Sequence, residues 1–122
     1  MNRATYLLLS DWNLLNEWCK LIQIDFREGY GPFHVGSSLK SKDYRDIDIR
    51  LILPDDMFDL LFPDAVFYPY PRGRLAHANT AYSIYAQRAT GLPIDFQFQR
   101  MTEANKEYPL EEDPRNAIGM KL

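Results

Sequence analysis

The sequence predicts an α/β fold of the α+β kind, a small mixed β-sheet with helices packed on it. Three observations carry that expectation. Two segments alternate apolar with polar residues, two longer segments repeat apolar residues at helical spacing, and the two kinds interleave along the chain.

Over residues 10–27, Leu14, Leu15, Trp18, Leu21, Ile22 and Phe26 fall on one helical face, and Ser10 and Asp11 are suited to cap its start. Gly29, Gly31 and Pro32 end that helix. Residues 33–35 then read as a short strand closed by the small-residue turn Gly36-Ser37-Ser38. Over 46–53, Ile47, Ile49, Leu51 and Leu53 keep strict period two, which means strand. Pro54 stops it, Asp55 or Asp56 can cap a short helix through Leu61, and residues 67–71 are expected as a short strand running into a loop. A second long helix is predicted over 75–90, stopped by Gly91. After Pro93, Ile94, Phe96 and Phe98 alternate with Asp95, Gln97 and Gln99, again a half-buried strand.

The 122 residues suit a single domain over 1–122, with 46% apolar and 14% aromatic residues to build a core. Residues 108–122, rich in acids and proline at their start, are expected as a C-terminal strap or loose tail. With 14 Lys and Arg against 17 Asp and Glu, the net charge of -3 gives no overall field that would attract nucleic acid. The single cysteine, Cys19, excludes an internal disulfide and any cysteine-built metal centre, and it agrees with a reducing compartment, the cytoplasm. No apolar run has the length of a membrane span, and no signal-peptide pattern precedes Asp11, so no membrane partner is expected.

Strand alternation sends Asp46 and Asp48 from one face, roughly 6.6 Å apart along the strand, while the neighbouring isoleucines take the other. Asp95 is likewise on the polar side of its strand, so if the two strands are neighbours the three acids converge. Carboxylates about 4 Å apart repel by roughly 4 kcal/mol at an effective dielectric near 20, so such a cluster needs a cation or a retained proton. Hard oxygen ligands without His or Cys favour Mg²⁺ or Mn²⁺, whose open coordination positions suit water and substrate phosphate. The turn supplies a second half. Glycine lets backbone approach a ligand, the amides after Gly36 can cradle phosphate oxygens, and the hydroxyl groups of Ser37 and Ser38 add donors. Lys40, Lys42, Arg45 and Arg50 concentrate positive charge beside it.

Gly36-Ser37, then Asp46-Ile47-Asp48 entering an apolar strand, then Asp95 in a later strand together resemble the signature of the DNA polymerase beta-type nucleotidyltransferase superfamily, in particular its minimal single-domain members. The likeness covers residues 33–99, and the whole chain is also similar to small nucleotidyltransferase-like proteins encoded by bacteriophages. The resemblance implies that Gly36 and Ser37 bind triphosphate, that Asp46 and Asp48 hold two magnesium ions, and that Asp95 completes one metal site and helps activate the attacking hydroxyl. It implies transfer of a nucleoside monophosphate from a nucleoside triphosphate to an acceptor hydroxyl, with pyrophosphate released. Residues 39–45 lack the further glycine many members carry there, and no separate acceptor-binding domain is visible. The acceptor therefore stays open between protein, RNA and small molecule, and a partner protein or homo-oligomer is expected. A catalytically silent nucleotide or nucleic-acid binding module of the same fold is the alternative.

Other residues have plainer readings. His34 is expected as a packed, hydrogen-bonded histidine, His77 as a surface residue, and Trp12 and Trp18 as cover for the core. The run Tyr68-Pro69-Tyr70-Pro71-Arg72-Gly73-Arg74 can pack as a loop or offer aromatic faces and guanidinium groups to a base and a phosphate.

Overall fold

The computed structural model describes residues 7–36, 38, 45–107 and 116–117. Its elements in chain order are α1 (Leu9–Asp25), β1 (Tyr30–Val35), β2 (Ile47–Leu53), α2 (Asp55–Leu61), α3 (Arg74–Thr90), β3 (Ile94–Arg100), α4 (Met101–Glu107) and β4 (Asn116–Ala117). The strands form one mixed sheet in the order β3-β2-β1-β4, an α+β arrangement. β1 is antiparallel to β2 and β4, whereas β2 and β3 run parallel. A parallel pair needs a crossover, and α2 and α3 supply it.

The core lies on one face of this sheet. Ile47, Ile49 and Leu51 pair in register with Ile94, Phe96 and Phe98, and all six are buried. Leu15, Trp18, Cys19 and Ile22 of α1 and Leu75 and Ala86 of α3 join them in one cluster. Each fully buried aliphatic side chain contributes roughly 1.5–3 kcal/mol. Aromatic contacts fix the helix positions: Trp18 meets Phe96 edge-on at 5.6 Å, and Tyr82 of α3 stacks on Phe96 at 5.5 Å. Alternation then leaves Asp48, Arg50 and Ile52 of β2 with Asp95, Gln97 and Gln99 of β3 on the opposite face. The short helix α4 folds back against both of these strands.

Several boundaries differ from the sequence expectations for local reasons. Helix α1 begins at Leu9 with Leu8 as its N-cap and no side-chain cap, so Ser10 and Asp11 are already inside the helix. Asp55 does not cap α2. Its carboxylate instead accepts the Thr102 backbone N–H at 3.0 Å, and Arg100 binds Asp59 at 2.9 Å, which ties α2 to the start of α4. Gly31 and Pro32 do not interrupt the chain before β1 but lie within it, where the register shifts between Tyr30 and Phe33. Residues 67–71 form no strand; only an isolated bridge joins Val66 to Arg72. Helix α3 ends as expected at Gly91, which adopts the left-handed conformation at φ 73°.

Helix α3 also protects the free edge of β3. The Asn79 side-chain oxygen accepts the Phe98 N–H at 2.9 Å, Ser83 Oγ accepts the Phe96 N–H at 2.8 Å and donates to the Phe96 carbonyl at 3.1 Å, and Gln87 donates to the Ile94 carbonyl at 2.9 Å. Four helical residues advance about 6.0 Å and two strand residues about 6.6 Å, so every fourth side chain of the helix meets every second residue of the strand. Among the described residues no helix is long and apolar enough to cross a membrane. Of the expected C-terminal strap, Asn116 and Ala117 pair with His34 and Phe33; the rest of it lies outside the described residues.

Candidate active site

Two backbone relationships build the site. Asp48 and Asp95 are register partners on the adjacent parallel strands β2 and β3, and the core residues flanking each of them force both carboxylates to the same polar face. Val35, the last residue of β1, pairs with Asp48 from the other side, so Gly36 enters the turn directly beside that carboxylate. Gly36 has φ 81°, and a Cβ built on it would fall on Asp48 Oδ2. Only glycine lets this backbone lie against the acid.

Asp46 precedes β2 and is exposed, while Asp48 is half-buried. Burial pushes the Asp48 carboxyl up from its ordinary value; Arg50 opposes this, and the neighbouring charges of Asp95 and, more weakly, Asp46 push it further up. The three expected acids thus influence one another. Among the described residues, however, no three His, Cys, Asp or Glu side chains form a ready-made nest for a metal ion. The closest association is the Asp48–Asp95 pair.

Arg50, expected to add positive charge near the phosphate turn, is paired with the two acids. Two residues after Asp48, it shares the same strand face, and its guanidinium lies 3.6 Å from Asp48 Oδ1 and 3.6 Å from Asp95 Oδ2. The group is buried, and it donates to the Asp95 carbonyl at 2.8 Å and the Ile49 carbonyl at 3.1 Å. Asp48 and Asp95 against one guanidinium leave at most one net negative charge, on oxygens of the kind that hard divalent cations prefer as ligands. Period two had already placed Arg50 on the face of Asp48; the sequence signal was there.

Ser38, expected to donate to phosphate, is fully buried, and its hydroxyl is joined to His34 Nε2. It braces the turn from inside instead of opening to a ligand. His34 is the packed histidine the sequence suggests, and burial lowers its pKa to about 4, so the ring is neutral. Ser37, Lys40 and Lys42 lie outside the described residues.

Beside the pair, Asp95 and Gln97 border an open cleft of about 290 Å³ whose other wall carries Asn79, Ser83 and Gln87 of α3. A ligand group can reach the Asp95 carboxylate from this side. Compared with protein-family models, curated proteins and solved structures, the chain finds no match.

Proposed function

We propose that the protein is a metal-dependent nucleotidyltransferase that moves a nucleoside monophosphate from a nucleoside triphosphate to an acceptor hydroxyl. The observation that carries this reading is the in-register pairing of Asp48 with Asp95 directly against the Gly36 turn. Two carboxylates on rigid parallel strands offer oxygen ligands to Mg²⁺ or Mn²⁺, with Asp46 at the exposed start of β2 as a further ligand to water or to a second ion. When bound, the cation supplies neutralisation of the triphosphate charge and a lowered pKa for the attacking hydroxyl.

The chain's own residues supply the rest. Backbone at Gly36, with Ser37, Lys40 and Lys42 following it in sequence, holds the phosphates. Asp95, open to its cleft, orients the acceptor hydroxyl and receives its proton. The hydroxyl oxygen forms a bond to the α-phosphorus, the bond from that phosphorus to its bridging oxygen breaks, and pyrophosphate departs. Positioning and charge stabilisation provide most of the rate. Nucleoside triphosphate and divalent cation are both at hand in a cytoplasm, the compartment this reading favours.

One observation favours a second reading, a silent nucleotide-binding module. Arg50 already places a positive charge within 3.6 Å of both carboxylates, and it can stand where a cation otherwise would. Incubation of the chain with labelled nucleoside triphosphates, Mg²⁺ and a panel of acceptor hydroxyls separates the two. Release of pyrophosphate by the native chain and its loss in Asp48→Asn support the enzyme. Nucleotide binding without release supports the module, and no binding of either kind removes both.

A further inference from the structure

Arg50 divides the oxygens of the acid pair. Its guanidinium approaches Asp48 through Oδ1 and Asp95 through Oδ2, each at 3.6 Å. The other oxygen of Asp48, Oδ2, lies beside Gly36, where the Cβ of any larger residue would meet it. Asp95 keeps Oδ1 outside the contact with Arg50, and its side chain is 41% exposed against 6% for the arginine. One oxygen of each acid is thus engaged by the guanidinium, and one is left.

We infer that Arg50 is a built-in second cation of this site, so that the acid pair takes one divalent ion where the resemblance implies two; the inference rests on the metal reading given above. Place is the first argument. In a two-ion site the ions stand about 3.5–4 Å apart and share carboxylates that bridge them. Here each carboxylate turns one oxygen to the guanidinium, so the bridge runs from Arg50 to a single ion.

Permanence is the second. The same guanidinium donates to the Asp95 carbonyl at 2.8 Å and to the Ile49 carbonyl at 3.1 Å. An arriving ion that displaced it would strip both carbonyls of that partner and pull a buried charge out of its pairing. Charge is the third. The two acids and Arg50 carry at most one net negative charge, which one divalent cation already reverses. A second cation would meet repulsion from the first and from the guanidinium. Asp46, exposed just before β2, then serves through water and not through a second ion. Arg50 is accordingly a positioning residue, which sets both the direction of the free oxygens and the number of ions they hold.

Counting bound Mn²⁺ tests this without any turnover. The full chain is dialysed to equilibrium against Mn²⁺, alone and with inorganic triphosphate, and the retained ions are counted and examined by electron paramagnetic resonance. The native chain is expected to hold one ion in both conditions, with the spectrum of an isolated Mn²⁺. Arg50→Met with triphosphate is expected to hold two, and ions as close as those of a two-ion site are spin-coupled, which changes the spectrum. Melting temperature checks that this variant folds, and Arg50→Gln, also neutral, takes its place if it does not. Asp48→Asn should lose the ion that the native chain holds. A coupled pair in the native chain overturns the inference and leaves the metal reading standing, and so does a single ion in both neutral variants. No Mn²⁺ retained by the native chain removes the metal reading and this inference with it.

Discussion

Asp48 and Asp95 face each other across parallel strands with the Arg50 guanidinium 3.6 Å from one carboxylate oxygen of each. The arrangement makes Arg50 the counter-charge of the two acids. Arg50→Met is expected to lower stability by about 1–3 kcal/mol, since it leaves two neighbouring carboxylates unopposed, though the partial exposure of Asp95 limits the effect. Mg²⁺ should restore more stability to this variant than to the native chain. Urea unfolding with and without Mg²⁺ measures both.

If the two acids act as one unit, their losses do not add. Asp48→Asn and Asp95→Asn should each lower pyrophosphate release about 100-fold or more, the order expected for one preorganised charge-stabilising group, and the double variant should fall little further. Independent, multiplying losses would count against a shared ligand.

Gly36→Ala forces a side chain into a φ of 81° and onto Asp48 Oδ2. The backbone term costs about 1–2 kcal/mol, and displacing the carboxylate is expected to weaken Mg²⁺-dependent triphosphate binding as well. Unfolding curves and binding isotherms of this variant should therefore move together.

The neutral His34 ring makes stability depend on acidity. Its folded pKa of about 4 lies below its ordinary 6.5. Below pH 6.5 the unfolded chain gains a proton that the folded chain refuses until about pH 4, so the stability present above 6.5 is lost progressively across that interval, by about 3 kcal/mol in all. His34→Gln should flatten this part of the profile in unfolding experiments from pH 7 to pH 4.

Ser83 serves both backbone groups of Phe96 on the edge of β3. Ser83→Ala leaves an N–H and a carbonyl without that partner, and a loss of about 1–3 kcal/mol is expected in chemical denaturation, toward the lower end because the adjoining cleft admits water.

Much of the architecture was legible in residue periodicity. The alternation in 46–53 and 94–98 named the core-facing residues of both strands, and the Gly91 stop of α3 was readable because a helix ending in the left-handed conformation favours glycine. Helix α4 escaped notice because Met101 follows β3 without a break, and a seven-residue helix is too short to display a period. The role of Asn79, Ser83 and Gln87 was also hidden, since polar residues on a helix look solvated until a strand edge lies beside them.

From alternation alone it followed that Asp48 and Asp95 each leave their strand on the polar side, because their apolar neighbours claim the other. Whether the two would meet depended on strand order, direction and register, which involve residues 47 apart in sequence and therefore leave no local trace. Tertiary structure decided those, by pairing Asp48 with Asp95 in parallel. It also turned Arg50 inward and drew Ser38 onto His34, because buried polar groups must find partners that only the assembled sheet and turn provide.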